Sequence, residues 1–101
     1  MNYLFTLMVV ISLPISLLQA QNYVSFTLAN PTAKSIPLKI PGVMNPNLSP
    51  FSTSGVDLKI GQKIYFKYKG KRILLLEVSK ENNDKTLNVA KLIRQRKKEI
   101  S

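Results

Sequence analysis

The sequence predicts a mainly β domain: a small antiparallel β-sandwich or open barrel of about five strands, followed by one basic amphipathic helix at the C-terminus. Three observations predict it. Short runs alternate apolar and polar residues, as in Val24, Phe26 and Leu28 against Ser25 and Thr27. Turn-formers separate these runs: residues 30–32 (NPT), Pro41-Gly42, Gly61-Gln62 and Gly70. The last run, from Val89 to about Glu99, changes to helical spacing, with Val89, Leu92, Ile93 and Ile100 on one stripe and Arg96 beside it. Strands first and a helix last favour packed sheets over an alternating α/β fold.

Residues 1–20, MNYLFTLMVVISLPISLLQA, precede the first charged side chain, Lys34. The apolar stretch over residues 3–18 is short for a bilayer span, which needs about 20 residues. It suits the core of a secretory signal, with Ala20 as the small residue before a cut at Gln21. Two features depart from the usual pattern: no Lys or Arg lies near the N-terminus, and Leu18 stands where a small residue is preferred. An uncleaved anchor and a hydrophobic first strand of a cytosolic domain are the alternatives. The expected organisation is a signal peptide over 1–20 and a β-domain over 21–101, with no transmembrane span after cleavage. There is no cysteine, so neither a lipid-anchored lipoprotein nor a disulfide framework is expected. Export without such staples points to a bacterial envelope, with the protein periplasmic, secreted or at the cell surface.

The first strand is expected over residues 23–29. The SIPLKI run puts Ile36, Leu38 and Ile40 on one face, and Pro37, lacking an N–H, predicts an edge strand. Residues 41–55 read as one long irregular loop, with Val43, Met44, Leu48 and Phe51 folding back onto the body. A short strand follows over 56–60. Then comes a hairpin: KIYFKYK with Ile64, Phe66 and Tyr68 inward, a reversal at Gly70, and RILLLEV. The consecutive Ile73, Leu74, Leu75 and Leu76 predict a central strand covered on both faces. Residues 86–89 can be extended, and Asn88 is expected to cap the helix.

The chemistry is bounded by what is missing. With no His and no Cys, the commonest general base, the usual zinc and copper ligands and thiol nucleophiles are all absent. A cupredoxin-like copper carrier fails on that ground. Asp57 and Glu77 each fall on a strand, but nothing sets their separation as a glycosidase pair. Glu81 and Asp84 lie in a polar turn without EF-hand spacing. Ser49, Ser52, Thr53 and Ser54 read as turn residues. Neither a P-loop nor a dinucleotide fingerprint is present. No enzyme, no metal and no small-molecule cofactor is expected.

Binding remains. The net charge is +10, with 15 basic against 5 acidic residues. Eleven of the fifteen fall in two groups, Lys59 with the hairpin and the terminal helix. The candidate binding residues are Lys63, Tyr65, Lys67, Lys69, Lys71 and Arg72 on the hairpin, and Lys91, Arg94, Arg96, Lys97 and Lys98 on the helix. A cationic ribbon with an exposed aromatic at Tyr65 can hold an anionic polymer, a lipid headgroup or an acidic protein surface. A basic amphipathic helix can also lie on an anionic membrane. The plainer account is that strand lysines block edge aggregation, helix cations complement the dipole and net charge confers solubility. The expected function is an exported, non-enzymatic binding or adaptor module. The alternatives are an assembly protein that pairs through its Ile36–Leu38 edge strand, and an inhibitor that presents the 41–55 loop.

N-terminal sequencing of material purified from its native source should begin at Gln21. Met1 retained in a soluble intracellular pool would contradict export.

Overall fold

The computed structural model describes residues 22–100; residues 1–21 and Ser101, which include the expected signal segment, lie outside the described residues. The elements run β1 (Tyr23–Asn30), β2 (Ile36–Lys39), β3 (Asn47–Leu48), β4 (Ser52–Lys59), β5 (Lys63–Tyr68), β6 (Lys71–Glu77), a 3-10 turn at Lys80–Asn82, β7 (Thr86–Asn88) and the helix α1 (Val89–Ile100). The domain is mainly β, with two sheets and one C-terminal helix. One sheet has the order β4-β1-β7 and the other β3-β2-β5-β6.

Seven strands replace the expected five or so. The extra two, β3 and β7, are only two and three residues long, too short for an alternation to register. The pairing is also not wholly antiparallel: β7 runs parallel to β1, with Leu28 beside Leu87. The backbone reaches this position through Asp84 N–H to Ser25 O (2.7 Å) and Thr27 N–H to Lys85 O (2.9 Å).

Both sheets feed one core. Val24, Phe26, Leu28, Val56 and Leu58 come from the first sheet, and Leu38, Ile64, Phe66 and Leu75 from the second, joined by Val89 of the helix. Each fully buried side chain of this size contributes about 1.5–3 kcal/mol. The chain crosses between sheets at the β4–β5 turn. There Gly61 takes a φ of +97°, its N–H donates to Val78 O, and Val78 N–H donates to Gln62 O (2.8 and 2.7 Å).

Three expectations are corrected. The apolar run in β6 does not mark a central strand, because β6 is the last strand of its sheet. The register with β5 slips, Ile64 facing Leu76 and Tyr65 facing Leu74, which leaves Leu75 as an extra residue in a bulge. Ile73 and Leu76 pack on the core across from Phe66 and Ile64, and the bulged Leu75 is buried as well. The one-residue insertion accounts for Leu75, while Leu74 stands beside Tyr65 on the outer face. Second, β2 is not an edge strand: its Ile36 and Pro37 pair with β3, and Leu38 and Lys39 pair with β5. Pro37 is accommodated because β2 changes partner along its length, and the next residue, Leu38, donates to Pro46 O (2.8 Å). Third, residues 41–55 are not one long loop. They hold a tight turn, β3 and the first half of β4, which begins at Ser52 rather than at Val56, and of the four apolar residues expected to fold back only Leu48 is buried, while Val43, Met44 and Phe51 are exposed. The inhibitory-loop alternative loses its loop.

Asn30 is the one buried polar residue among those described, at 1% exposure. Its Nδ2 lies within hydrogen-bond reach of three carbonyls, Lys34 O (2.7 Å), Leu48 O (3.1 Å) and Ser49 O (3.0 Å). Its Oδ1 accepts from Thr32 N–H (3.0 Å) and the Thr32 hydroxyl (2.7 Å). The end of β1, the 31–35 connection and β3 are thereby tied to one carboxamide.

Asn30→Ala should cost about 3 kcal/mol by stranding buried carbonyls, and lower the thermal midpoint by more than about 10 °C. Asn30→Asp, nearly isosteric but without donors, should be at least as destabilising in a calorimetric scan, since it aims an anion at three carbonyl oxygens.

Candidate anion site

The β5–β6 hairpin turns through Lys69 and Gly70, both at positive φ (53° and 76°). This is the two-residue turn whose twist matches that of its strands. With Ile64 and Phe66 buried, Tyr65 and Lys67 fall on the opposite face. On that face Lys67 stands across from Arg72 and Tyr65 beside Lys39. The Arg72 guanidinium lies 4.6 Å from the Tyr65 ring centroid. The ring expected to be exposed is thus half-buried and already covered by a cation; the exposed strand tyrosine is Tyr23.

The helix begins where the sequence places it. Asn88 Oδ1 accepts from Lys91 N–H (3.1 Å), an N-cap bond. Val89 and Ala90 are buried, and Leu92 and Ile93 pack against the core, while Ile100 is exposed. Most of the apolar face is taken up by docking. Arg96 serves the docking. Its Nε donates to Leu74 O of β6 (2.8 Å), and its other guanidinium arm pairs with Glu99 (2.8 Å).

The two basic groups meet at Tyr68. Lys97 Nζ from the helix and Lys69 Nζ from the hairpin stand 4.8 and 5.2 Å from the same ring centroid. Beside this contact lies a groove of about 360 Å³ between α1 and the β2–β5 pair. Lys34, Lys67, Arg94 and Lys97 line it, together with Ile36, Pro37 and Ile93. A second concavity, of about 610 Å³, is lined by Lys39, Tyr65, Lys67 and Arg72. The two share Pro37, Phe66 and Lys67, and among the described residues no carboxylate lines either. The two concavities adjoin at these residues and are together termed the cationic channel. Like charges gathered this way repel one another, and a bound anion would relieve that repulsion.

Of the predicted site residues, Tyr65, Lys67, Arg72, Arg94 and Lys97 line the channel, with Lys69 at the Tyr68 ring. Lys63 instead stands opposite Glu77, and Lys71 opposite Tyr68 at the hairpin end. Lys91 and Lys98 are exposed on the helix and line neither concavity. Arg96 is a docking residue. Lys34 and Lys39 were missed. Alternation places Lys39 on the face away from Leu38 and Ile40, but only the β2–β5 pairing brings it to Tyr65.

Among the described residues, Ser25, Asp57, Asp84 and Lys85 line a separate concavity of about 460 Å³ on the other sheet. Asp57 and Glu77 lie in different sheets. The Ser25 hydroxyl donates to Asp57, while Asn83 Oδ1 accepts from Ser25 N–H (3.1 Å). Among the described residues there is no cluster of metal-ligating side chains, and no helix is long and apolar enough to cross a membrane. Comparison with protein-family models, curated proteins and solved structures finds no match.

Arg96→Gln should leave the sheets intact but loosen the helix, at a cost of about 1–2 kcal/mol for a part-exposed charged hydrogen bond. Amide exchange should accelerate selectively over residues 93–100, and uniform acceleration across β1 and β5 would refute this docking role.

Proposed function

We propose that the protein is an exported, non-enzymatic binding module that holds an anionic partner in the channel between α1 and the β2–β5 pair. One observation carries this reading: cations from three separate stretches of chain (Lys34, then Lys67, then Arg94 and Lys97) converge on one groove that no carboxylate among the described residues lines. Scattered solubilising charge has no reason to converge. The chemistry available is charge neutralisation by lysine and arginine, which is sensitive to salt and blind to sequence. The absence of His and Cys from the whole chain supports the non-enzymatic part, and the apolar segment over residues 1–20 supports export.

A second reading, assembly by strand addition, keeps one specific observation in its favour. It moves from β2 to β4, whose outer edge, Ser52–Lys59, has no neighbouring strand among the described residues. Strand addition depends on backbone hydrogen bonds and is indifferent to salt.

The test pairs two variants of equal net charge. Lys67→Glu/Arg94→Glu and Lys80→Glu/Lys91→Glu each remove four units from +10. Binding to dextran sulfate at low ionic strength should fall about tenfold or more for the first and change little for the second, with a shallower salt dependence for the first. Equal losses would reduce the surface to net charge alone.

A further inference from the structure

We propose that the channel's partner is an anionic phospholipid bilayer, and that the turn at residues 41–44 enters the interface beside it. This rests on the anion-binding reading above and names the anion. Three observations favour a lipid surface over a nucleic acid or a sugar chain.

The first concerns the aromatic rings. Stacking of bases or sugars needs an open ring face. Arg72 covers Tyr65, and Lys69 and Lys97 both stand at Tyr68. Arg72 and Lys97 therefore occupy ring faces at the channel, and its lysines offer point charges, which suits phosphate oxygens.

The second concerns the lining. Ile36, Pro37, Ala90 and Ile93 lie among the cations of the groove. An apolar floor under a cationic rim matches a ligand in which a phosphate is joined to hydrocarbon. A polynucleotide backbone is polar throughout and gains nothing from that floor.

The third is the turn. Pro41 and Gly42 occupy its centre, Gly42 at φ +77°. Val43 N–H and Met44 N–H donate to Ile40 O (3.0 and 3.1 Å), and Ile40 N–H donates to Met44 O (2.9 Å). This fixed turn holds Val43 and Met44 in solvent, 45% and 38% exposed. The next residue, Asn45, lines the same concavity as Lys39 and Arg72. A rigid apolar tip bordering a cationic surface combines the two signals that peripheral membrane binding uses, headgroup attraction and shallow insertion. Each alone gives weak, reversible attachment.

The chain has no cysteine, so Met44→Cys takes a single environment-sensitive fluorophore at the tip, and Thr53→Cys on β4 takes one in the other sheet. The probes are vesicles of phosphatidylcholine containing phosphatidylglycerol, vesicles of phosphatidylcholine alone, free glycerol phosphate, and single-stranded DNA. The label at 44 should shift to the blue on the anionic vesicles only, and the label at 53 should not move. Val43→Ser/Met44→Ser should weaken pelleting with anionic vesicles about tenfold and leave dextran sulfate binding unchanged. Binding of DNA or dextran sulfate without anionic vesicles would overturn the lipid proposal and leave the anion reading standing. Binding of vesicles with an unshifted label at 44, or saturation by glycerol phosphate with no added gain from a bilayer, would overturn the insertion. No binding to any polyanion would remove both.

Discussion

The Asn30 carboxamide is the constraint on which the placement of the site depends. It sits at the end of the central strand of the first sheet, yet its partners belong to the connection leading to β2 and to β3. Through Leu48 and Ser49 it fixes β3, and β3 in turn pairs with Ile36 and Pro37. Through Lys34 O it fixes the start of the segment carrying one channel cation. A buried amide is costly unless its donors and acceptor are all used, and here they are. No buried side-chain polar atom among the described residues lacks a partner. The core supplies most of the stability, but a hydrophobic core is tolerant of small shifts, whereas a carboxamide engaged on both sides admits one arrangement.

From that arrangement the cationic channel follows. β2 lies against β5, so Lys39 reaches the Tyr65–Arg72 pair. The helix docks by its apolar stripe and by the Arg96 bond to Leu74, so Arg94 and Lys97 face Lys67 across a groove. The positive charge divides by role. Arg96 is spent on holding the helix, Lys63 stands opposite Glu77, Arg72 and Lys97 lie against tyrosine rings, and Lys34, Lys67 and Arg94 line the groove beside Lys97. Such a surface stores electrostatic repulsion that folding must tolerate, and binding an anion would release it.

Much of this was legible in the sequence. β1, the β5–β6 hairpin, the Asn88 cap and the helix followed from period-two alternation, a Gly turn and a capping residue, all local signals. The errors share a different cause: each needed information about a neighbour. A bulge at Leu75 looks in one dimension like a strand buried on both faces. Pro37 looks like an edge marker until the strand is seen to exchange partners beside it. β3 and β7 are too short to carry a pattern and exist because β2 and β1 are there to pair with. The candidate site divides in the same way. The hairpin and helix cations stood out as clusters, but Lys34 and Lys39 belong to no cluster along the chain and join the site only through topology. Arg96 is the converse case, a member of the densest basic run that turns inward to a carbonyl.

The helix and the β2–β5 pair are proposed to make one anion site together. Amide and side-chain nuclear magnetic resonance tests it most directly, with a short-chain phosphatidylglycerol titrated below its micelle concentration at low salt. Signals of Lys34, Lys67, Arg94 and Lys97 should move together along one saturable curve, with Lys80 and Lys91 still. Small, unsaturating shifts spread evenly over all the lysines would contradict it.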